Sequence, residues 1–194
     1  MKTKRAYTMG ARAEAVQETR RRIMQATFDL AHIQPIAAIS LDAVAVGAEV
    51  SVQTILRQFA SRAGLIAASI DYAKTVISEE RLVPVGDVDE AVRVVIDHYE
   101  QRGDLALLLL AQEQDPDAAP VVASARGTHE SWVRAAFAPM LADAADPKEL
   151  FDLLVTATDV YTWKLLRRDR RRSRRVTEAR MRRLVEAVLI PPEP

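Results

Sequence analysis

The sequence predicts an all-α protein of about nine helices, and its periodicity, composition and punctuation carry that expectation. Apolar residues recur at i, i+3, i+4 and i+7 in one stretch after another. Glycine is scarce, at 6 of 194 residues, and aromatics make up only 5%, while Ala, Arg, Leu and Glu are abundant, a composition that favours helix over strand. Pro35, Pro84, Pro116, Pro120 and Pro147 each fall where a periodic stretch stops or the next begins.

Taken in order, residues 20–32 place Ile23, Ala26, Thr27 and Leu30 on one helical face. Residues 41–48 repeat the pattern with Leu41, Val44, Ala45 and Ala48, and Ser40 stands before them as a natural N-cap. A second short helix runs from Ser51, again a cap, through Phe59. Ser61 opens a longer helix in which Leu65, Ser69, Tyr72 and Val76 share a face. Asp87 leads into a helix carrying Val88, Val92, Val95 and Tyr99. The run LALLLLA at 105–111 is apolar all round, too short to span a membrane, and reads as a buried core helix. Residues 119–141 carry Trp132 and Phe137, with Pro139 expected to kink or end that helix. Residues 148–168 set out a stripe of Leu150, Leu154, Ala157, Tyr161 and Leu165, and residues 174–190 another of Met181, Leu184, Val185 and Val188.

Apolar residues make up 49% of the chain and charged residues 28%, enough to bury a core and unlike an intrinsically disordered segment. The absence of cysteine excludes a disulfide scaffold, a zinc finger, an iron–sulfur site and a cysteine nucleophile. No run of 18 apolar residues predicts a transmembrane helix. The first residues, MKTKR, lack an apolar secretory core, so the expected location is the cytoplasm.

The three histidines, His32, His98 and His129, lack metal-ligand spacing, and no nucleophile elbow is present. The six glycines are isolated, so no phosphate loop is expected. Neither catalytic residue, metal nor cofactor is anticipated, and the chain does not read as an enzyme.

Net charge is zero, with 27 basic and 27 acidic residues, but the distribution is uneven. Residues 1–66 carry nine basic and five acidic side chains (+4), 67–166 carry eight and eighteen (−10), and 167–194 carry ten and four (+6). The basic ends, not the acidic middle, are candidates for a polyanion. Lys2, Lys4 and Arg5 suit an arm following a phosphate backbone or entering a minor groove, or simply a frayed terminus. The arginine-rich run 167–175 fits direct nucleic-acid binding, pairing with the acidic middle, or a solvated loop, and the solvated loop is the expectation.

The most informative segment is 40–59, SLDAVAVGAEVSVQTILRQF. Two short amphipathic helices, each with a Ser cap, meet at a tight turn around Ala48, Glu49 and Val50, which is helix–turn–helix spacing. Ala48 is small where the helices approach, Val50 and Ile55 plug the junction, and Ser51, Gln53, Thr54, Arg57 and Gln58 are left to face a major groove. A pair of ordinary short core helices fits the same pattern.

Over 20–65 the chain resembles the DNA-binding domain of the tetracycline-repressor (TetR) family of transcriptional regulators. The resemblance rests on RRIMQATFDL, the segment above and QFASRAGLI, with Phe59-Ala60-Ser61-Arg62 matching the family's aromatic, small, Ser and basic sequence into helix four. At the far end, VYTWKLLRRD and RMRRLVEAVL are similar to the family's last two helices. Four positions depart from the pattern: Glu49 replaces the usual turn glycine, Leu56 a phosphate-bonding tyrosine, Gln53 a glycine near the start of the recognition helix, and Arg62 a lysine, keeping its charge.

The resemblance implies a DNA-binding domain at 1–66 and an effector-binding and dimerisation domain at 67–194. It implies a homodimeric regulator of double-stranded DNA, a repressor released by a small apolar effector. The alternative is a helical ligand-binding or interaction protein without competent DNA binding. The expected DNA contacts are Ser40, Ser51, Val52, Gln53, Thr54, Arg57, Gln58 and Arg62, with Ser51 and Arg62 positioning the duplex. The expected effector pocket draws His98, Tyr99, Leu109, His129, Trp132 and Phe137 from helices at 87–102, 103–114 and 119–141, although packed core is an equal account of each. The expected dimer interface joins the two C-terminal stripes through Leu154, Ala157, Thr158, Tyr161, Trp163, Met181, Leu184, Val185 and Val188, with Ala179 allowing close approach.

Overall fold

The computed structural model describes residues 3–190, with side chains over 13–190. Among the described residues it is helical without a strand, in ten α-helical segments, one 3-10 turn and one π-helical turn. No helix of the described residues is long and apolar enough to cross a membrane. The chain divides into two units, Met1–Ala73 and Lys74–Pro194.

In the first unit, α1 (Thr3–Ala31) buries Ile23, Ala26, Thr27 and Phe28. It begins well before the expected residue 20, because the polar stretch ahead has helical composition but no apolar stripe to reveal it. Lys2 lies outside the described residues; Lys4 and Arg5 fall on the α1 backbone, with side chains also outside them. A 3-10 turn at Ile36–Ala38 leads to α2 (Leu41–Gly47) and α3 (Val52–Phe59). The Ser40 and Ser51 side chains cap these helices by accepting from the amides of Ala43 and Thr54 at 3.1 Å each. Val44, Ala45, Ala48, Ile55 and Phe59 pack inward. α4 (Arg62–Glu80) follows, with Leu65 and Ser69 buried and the Tyr72 hydroxyl donating to Gln25 Oε1 at 2.6 Å.

The second unit is built around α5 (Val88–Leu110), capped by Asp87. The two helices expected at 87–102 and 103–114 are one, ending at Leu110, because Gly103 continues the helix and brings its bare backbone against the Trp163 ring. α6 (Ala119–Ala136) and α7 (Ala138–Asp143) divide at Phe137, just ahead of Pro139. α8 (Pro147–Thr158) and α9 (Val160–Lys164) divide at Asp159, whose extended backbone and side-chain cap start the helix afresh. A π-helical turn (Leu165–Asp169) precedes α10 (Arg174–Leu189). α10 lies against α5 and α8, and α6 packs on both. The shared core holds Val92, Val95, Ile96, Phe137, Leu154, Trp163, Met181 and Val185.

The arginine-rich run is not a free loop. Arg167 forms a fork on Glu100, Arg168 pairs with Asp104, and Arg174 pairs with Asp97 and Glu178. Asp97, Glu100 and Asp104 recur at 3–4 spacing on α5, so the acidic middle supplies one helical face and the basic end supplies its counterions. Arg170, Arg171 and Arg172 remain exposed.

Candidate functional site

Two features are candidate sites, one in each unit. In the first, the turn between α2 and α3 is closed by Val50 donating to the Ala45 carbonyl at 3.0 Å, with Glu49 at φ 54°. α3 buries Ile55 and Phe59 and turns Gln53, Leu56 and Arg57 outward. Its C-terminal end is held by Arg20, which donates to the Gln58 carbonyl at 3.0 Å and lies 4.2 Å over the Phe59 ring. The short helix is therefore fixed at both ends, with a polar strip left in solvent.

In the second unit a cavity of about 270 Å³ opens between α5, α6 and the Asp159 break. Its lining is largely apolar, including Leu105, Leu109, Val122 and Val155, and is interrupted by Tyr99, two histidines (His98, His129) and the charged Arg81, Arg102, Arg126, Glu130 and Asp159. Arg81 is buried; its Nη2 donates to His129 Nδ1 at 2.9 Å, its guanidinium lies 4.2 Å over the Trp132 ring, and its carbonyl accepts from the Trp132 indole at 2.8 Å. His129 Nε2 stands 3.3 Å from Thr158 Oγ1, and Tyr99 donates to the Thr158 carbonyl at 3.0 Å. Burial and the Arg81 charge hold both His98 and His129 in the neutral form, His129 down at about 3. Burial raises the Tyr99 hydroxyl and the Asp159 carboxyl above their usual ranges. A second cavity of about 230 Å³ shares Arg81 and Thr128 with the first and is walled by Trp132, Lys74 and Ser78. Among the described residues no group of three or more His, Asp or Glu side chains is placed to hold a metal ion.

No protein-family model matches the chain, and no curated protein matches it in sequence. Solved structures do. A Rhodococcus sp. protein assigned to the TetR family of transcriptional regulators superposes with a TM-score of 0.68 at 18% identity, covering 89% of this chain and 100% of that one. The chain has the TetR-type fold. GusR of Salmonella enterica matches with a TM-score of 0.63 at 21% identity over 89% of this chain and 95% of its own. A TetR transcriptional regulator from Rhodococcus sp. RHA1 gives 0.53 at 21% identity over 90% and 96%.

Within this TetR-type fold the expected site residues separate. Gln53 and Arg57 are exposed and Val52 and Thr54 half-buried, but Gln58 turns back, with its Oε1 buried. Ser40 and Ser51 are exposed, and each accepts a helix-capping bond. Arg62 is drawn inward too: its Nε donates to the Ile39 carbonyl at 2.8 Å and its Nη2 to that of Ile36, which ties the head of α4 to the 3-10 turn. Of the expected pocket residues, His98, Tyr99, Leu109 and His129 line the larger cavity. Trp132 lines the smaller one, and Phe137 is packed core lining neither.

The expected dimer stripes are mostly internal. Leu154, Ala157, Thr158, Trp163, Met181 and Val185 are buried within their own unit, and Val188 packs against that core. Tyr161, Leu165 and Leu184 are exposed, at 55%, 50% and 44%, and so is Ala179. A 3.6-residue period identifies the apolar face of a helix but not whether its own core or a partner covers it. Arg81 escapes sequence reading entirely. Between Glu80 and Leu82 it looks like a surface cation at a helix C-terminus, and only tertiary packing buries it.

Proposed function

We propose that this protein is a cytoplasmic DNA-binding transcriptional regulator, acting as a homodimer and most simply as a repressor released by a small molecule. The observation carrying the reading is α3, pinned at both ends, with Gln53 and Arg57 outward on the second helix of a helix–turn–helix. The assignment of fold neighbours to transcriptional regulation supports it, as does the +4 balance of residues 1–66. Gln53 and Arg57 would read base edges, and the amides at the start of α3 would meet a phosphate.

Control follows from α4, which carries residues of both units. Ile77 on α4 and Arg81 just past its end line the larger cavity, so an occupant bears on the helix that Arg62 anchors at its head. Two recognition helices must sit about 34–36 Å apart to enter successive major grooves, so a shift of a few ångströms releases both. The homodimer would use exposed apolar groups of the C-terminal helices, Leu153, Tyr161, Leu165 and Leu184.

The test is a gel shift of the full chain on the DNA flanking its own coding region, with random DNA as competitor. A retarded band that survives the competitor supports the reading. Equal affinity for both DNAs, or none, would leave the helical ligand-binding alternative.

A further inference from the structure

The larger cavity contains a positive charge that no acidic side chain neutralises. Arg81 is 4% exposed, and no carboxylate among the described residues forms an ion pair with it. Its two neighbours, His129 at Nη2 and the Trp132 ring, are uncharged, and its Nε has no hydrogen-bond partner. His98, which lines the same cavity, also keeps a buried Nδ1 without a hydrogen bond. The other cations of the lining are matched: Arg102 forks onto Glu80, and Arg126 pairs with Glu113. A lone buried guanidinium is among the costliest groups a core can hold, and it is stabilised most by an anion that accepts in its plane. Elsewhere the same cavity has apolar walls, among them Leu105, Leu109 and Val122.

We propose that the cavity binds a small organic monoanion, an aromatic or aliphatic carboxylic acid in its ionised form, with the carboxylate on Arg81 and the hydrocarbon body against Leu105, Leu109 and Val122. Arg81 calls for one negative charge, and Asp159 and Glu130, which line the same cavity, disfavour a second, which argues against a phosphate dianion. The planar guanidinium fits a carboxylate edge. This ligand differs from the wholly apolar effector that the sequence suggests, and the assignment rests on the cavity being the effector site.

The experiment is calorimetry on the full chain without DNA, at neutral pH, with two matched pairs: phenylacetate against phenylacetamide, and octanoate against octanamide. Each pair holds the carbon skeleton constant and removes only the charge. At least one acid is expected to bind about tenfold or more tightly than its amide, the size of a charge-assisted hydrogen bond. In Arg81→Leu, which replaces the cation with an apolar side chain, that ratio is expected to fall to about one. Should Arg81→Leu fail to fold, Arg81→Lys, which keeps the charge, is expected to retain a preference for the acid. Amides that bind as well as acids, an Arg81→Leu variant that still discriminates, or no binding of any of the four probes overturns the proposal. Because DNA is absent, these outcomes are independent of the gel shift, so failure of one reading is distinguishable from failure of the other.

Discussion

Arg81 and His129 share a buried hydrogen bond that fixes the tautomer of the histidine. The Arg81 Nη2 donates to His129 Nδ1 at 2.9 Å, so that nitrogen carries a lone pair and the ring proton sits on Nε2, toward Thr158 Oγ1. Thr158 in turn donates to the Leu154 carbonyl at 2.7 Å. A second proton on the ring would set an imidazolium against a guanidinium with no intervening water. Burial is the larger cause of the depression to about 3, and Arg81 adds to it.

Acid is therefore expected to destabilise the second unit well above the range where carboxylates titrate. A folded-state value below the unfolded 6.5 means that the contribution is whole above about 6.5. It is lost as pH falls toward 3, because the unfolded ring takes a proton the folded ring refuses. Each pH unit in that window removes up to about 1.4 kcal/mol. His98 acts in the same sense, while Asp159, raised by burial, acts in the opposite sense at the acid end. Urea unfolding midpoints at pH 7 and pH 5 measure the slope, and His129→Asn should flatten it. Equal slopes in the two proteins would contradict this account.

The turn between α3 and α4 makes opposite predictions at two neighbouring positions. Ala60 has φ 64°, a region costly for a side chain, and Ser61 donates to the Phe59 carbonyl at 2.8 Å to close the bend. A Cβ on Gly64 would lie 2.2 Å from that same carbonyl oxygen. Ala60→Gly should stabilise the first unit by up to about 1 kcal/mol. Gly64→Ala should cost about 1–3 kcal/mol by overpacking against backbone. Thermal melts that move both variants in the same direction would refute the geometry.

On α3, Arg57→Ala should weaken specific DNA binding by about 1–3 kcal/mol if the guanidinium reads a base, and should relax preference at one position of the site. A loss equal on all sequences identifies a phosphate contact instead. Leu56, 40% exposed beside it, is apolar on a polar face. Leu56→Tyr should strengthen binding by about 0.5–1.5 kcal/mol, the value of one added hydrogen bond. Competition binding of both variants against random DNA separates these effects.

The legible parts of the chain were those governed by local chemistry. Ser40 and Ser51 announce their helix starts because a cap and its amide lie three residues apart, and the structure places both caps as expected. Pro139 marks the break after α6 for a similarly local reason. What failed were judgements about which body covers a face. Trp163 and Val185 look like interface anchors in sequence, yet Trp163 is covered from α5 and Val185 lies on a helix packed against α5 and α8, all distant or separate in the chain. Arg167 looked solvated because its counterion, Glu100, is 67 residues away. Arg81 looked ordinary because burial of a charge leaves no local trace.

The Trp163 contact can be tested at its partner. A Cβ on Gly103 would lie 2.4 Å from the indole Cζ3, and Trp163 is fully buried with its Nε1 donating to Glu100 at 3.0 Å. The ring has no room to retreat without breaking that bond. Gly103→Ala should cost about 1–3 kcal/mol despite the better helix propensity of alanine, which alone would add about 1 kcal/mol. A melting temperature that rises instead would show that the ring yields easily.

Adjacent residues on α10 separate self-packing from self-association. Val185 is fully buried, so Val185→Glu places a carboxylate in the core and should unfold the second unit, at a cost of about 3 kcal/mol or more. Leu184, one position earlier and 44% exposed, belongs to the outward group with Tyr161 and Leu165. If that group forms the dimer interface, Leu184→Glu should leave helix content and melting cooperativity intact, convert dimers to monomers in light scattering, and reduce operator affinity, because one half-site holds a single recognition helix. Circular dichroism run beside the scattering distinguishes the two failures. A monomeric wild type at micromolar concentration, or a Leu184→Glu variant that remains dimeric, would move the interface off this face.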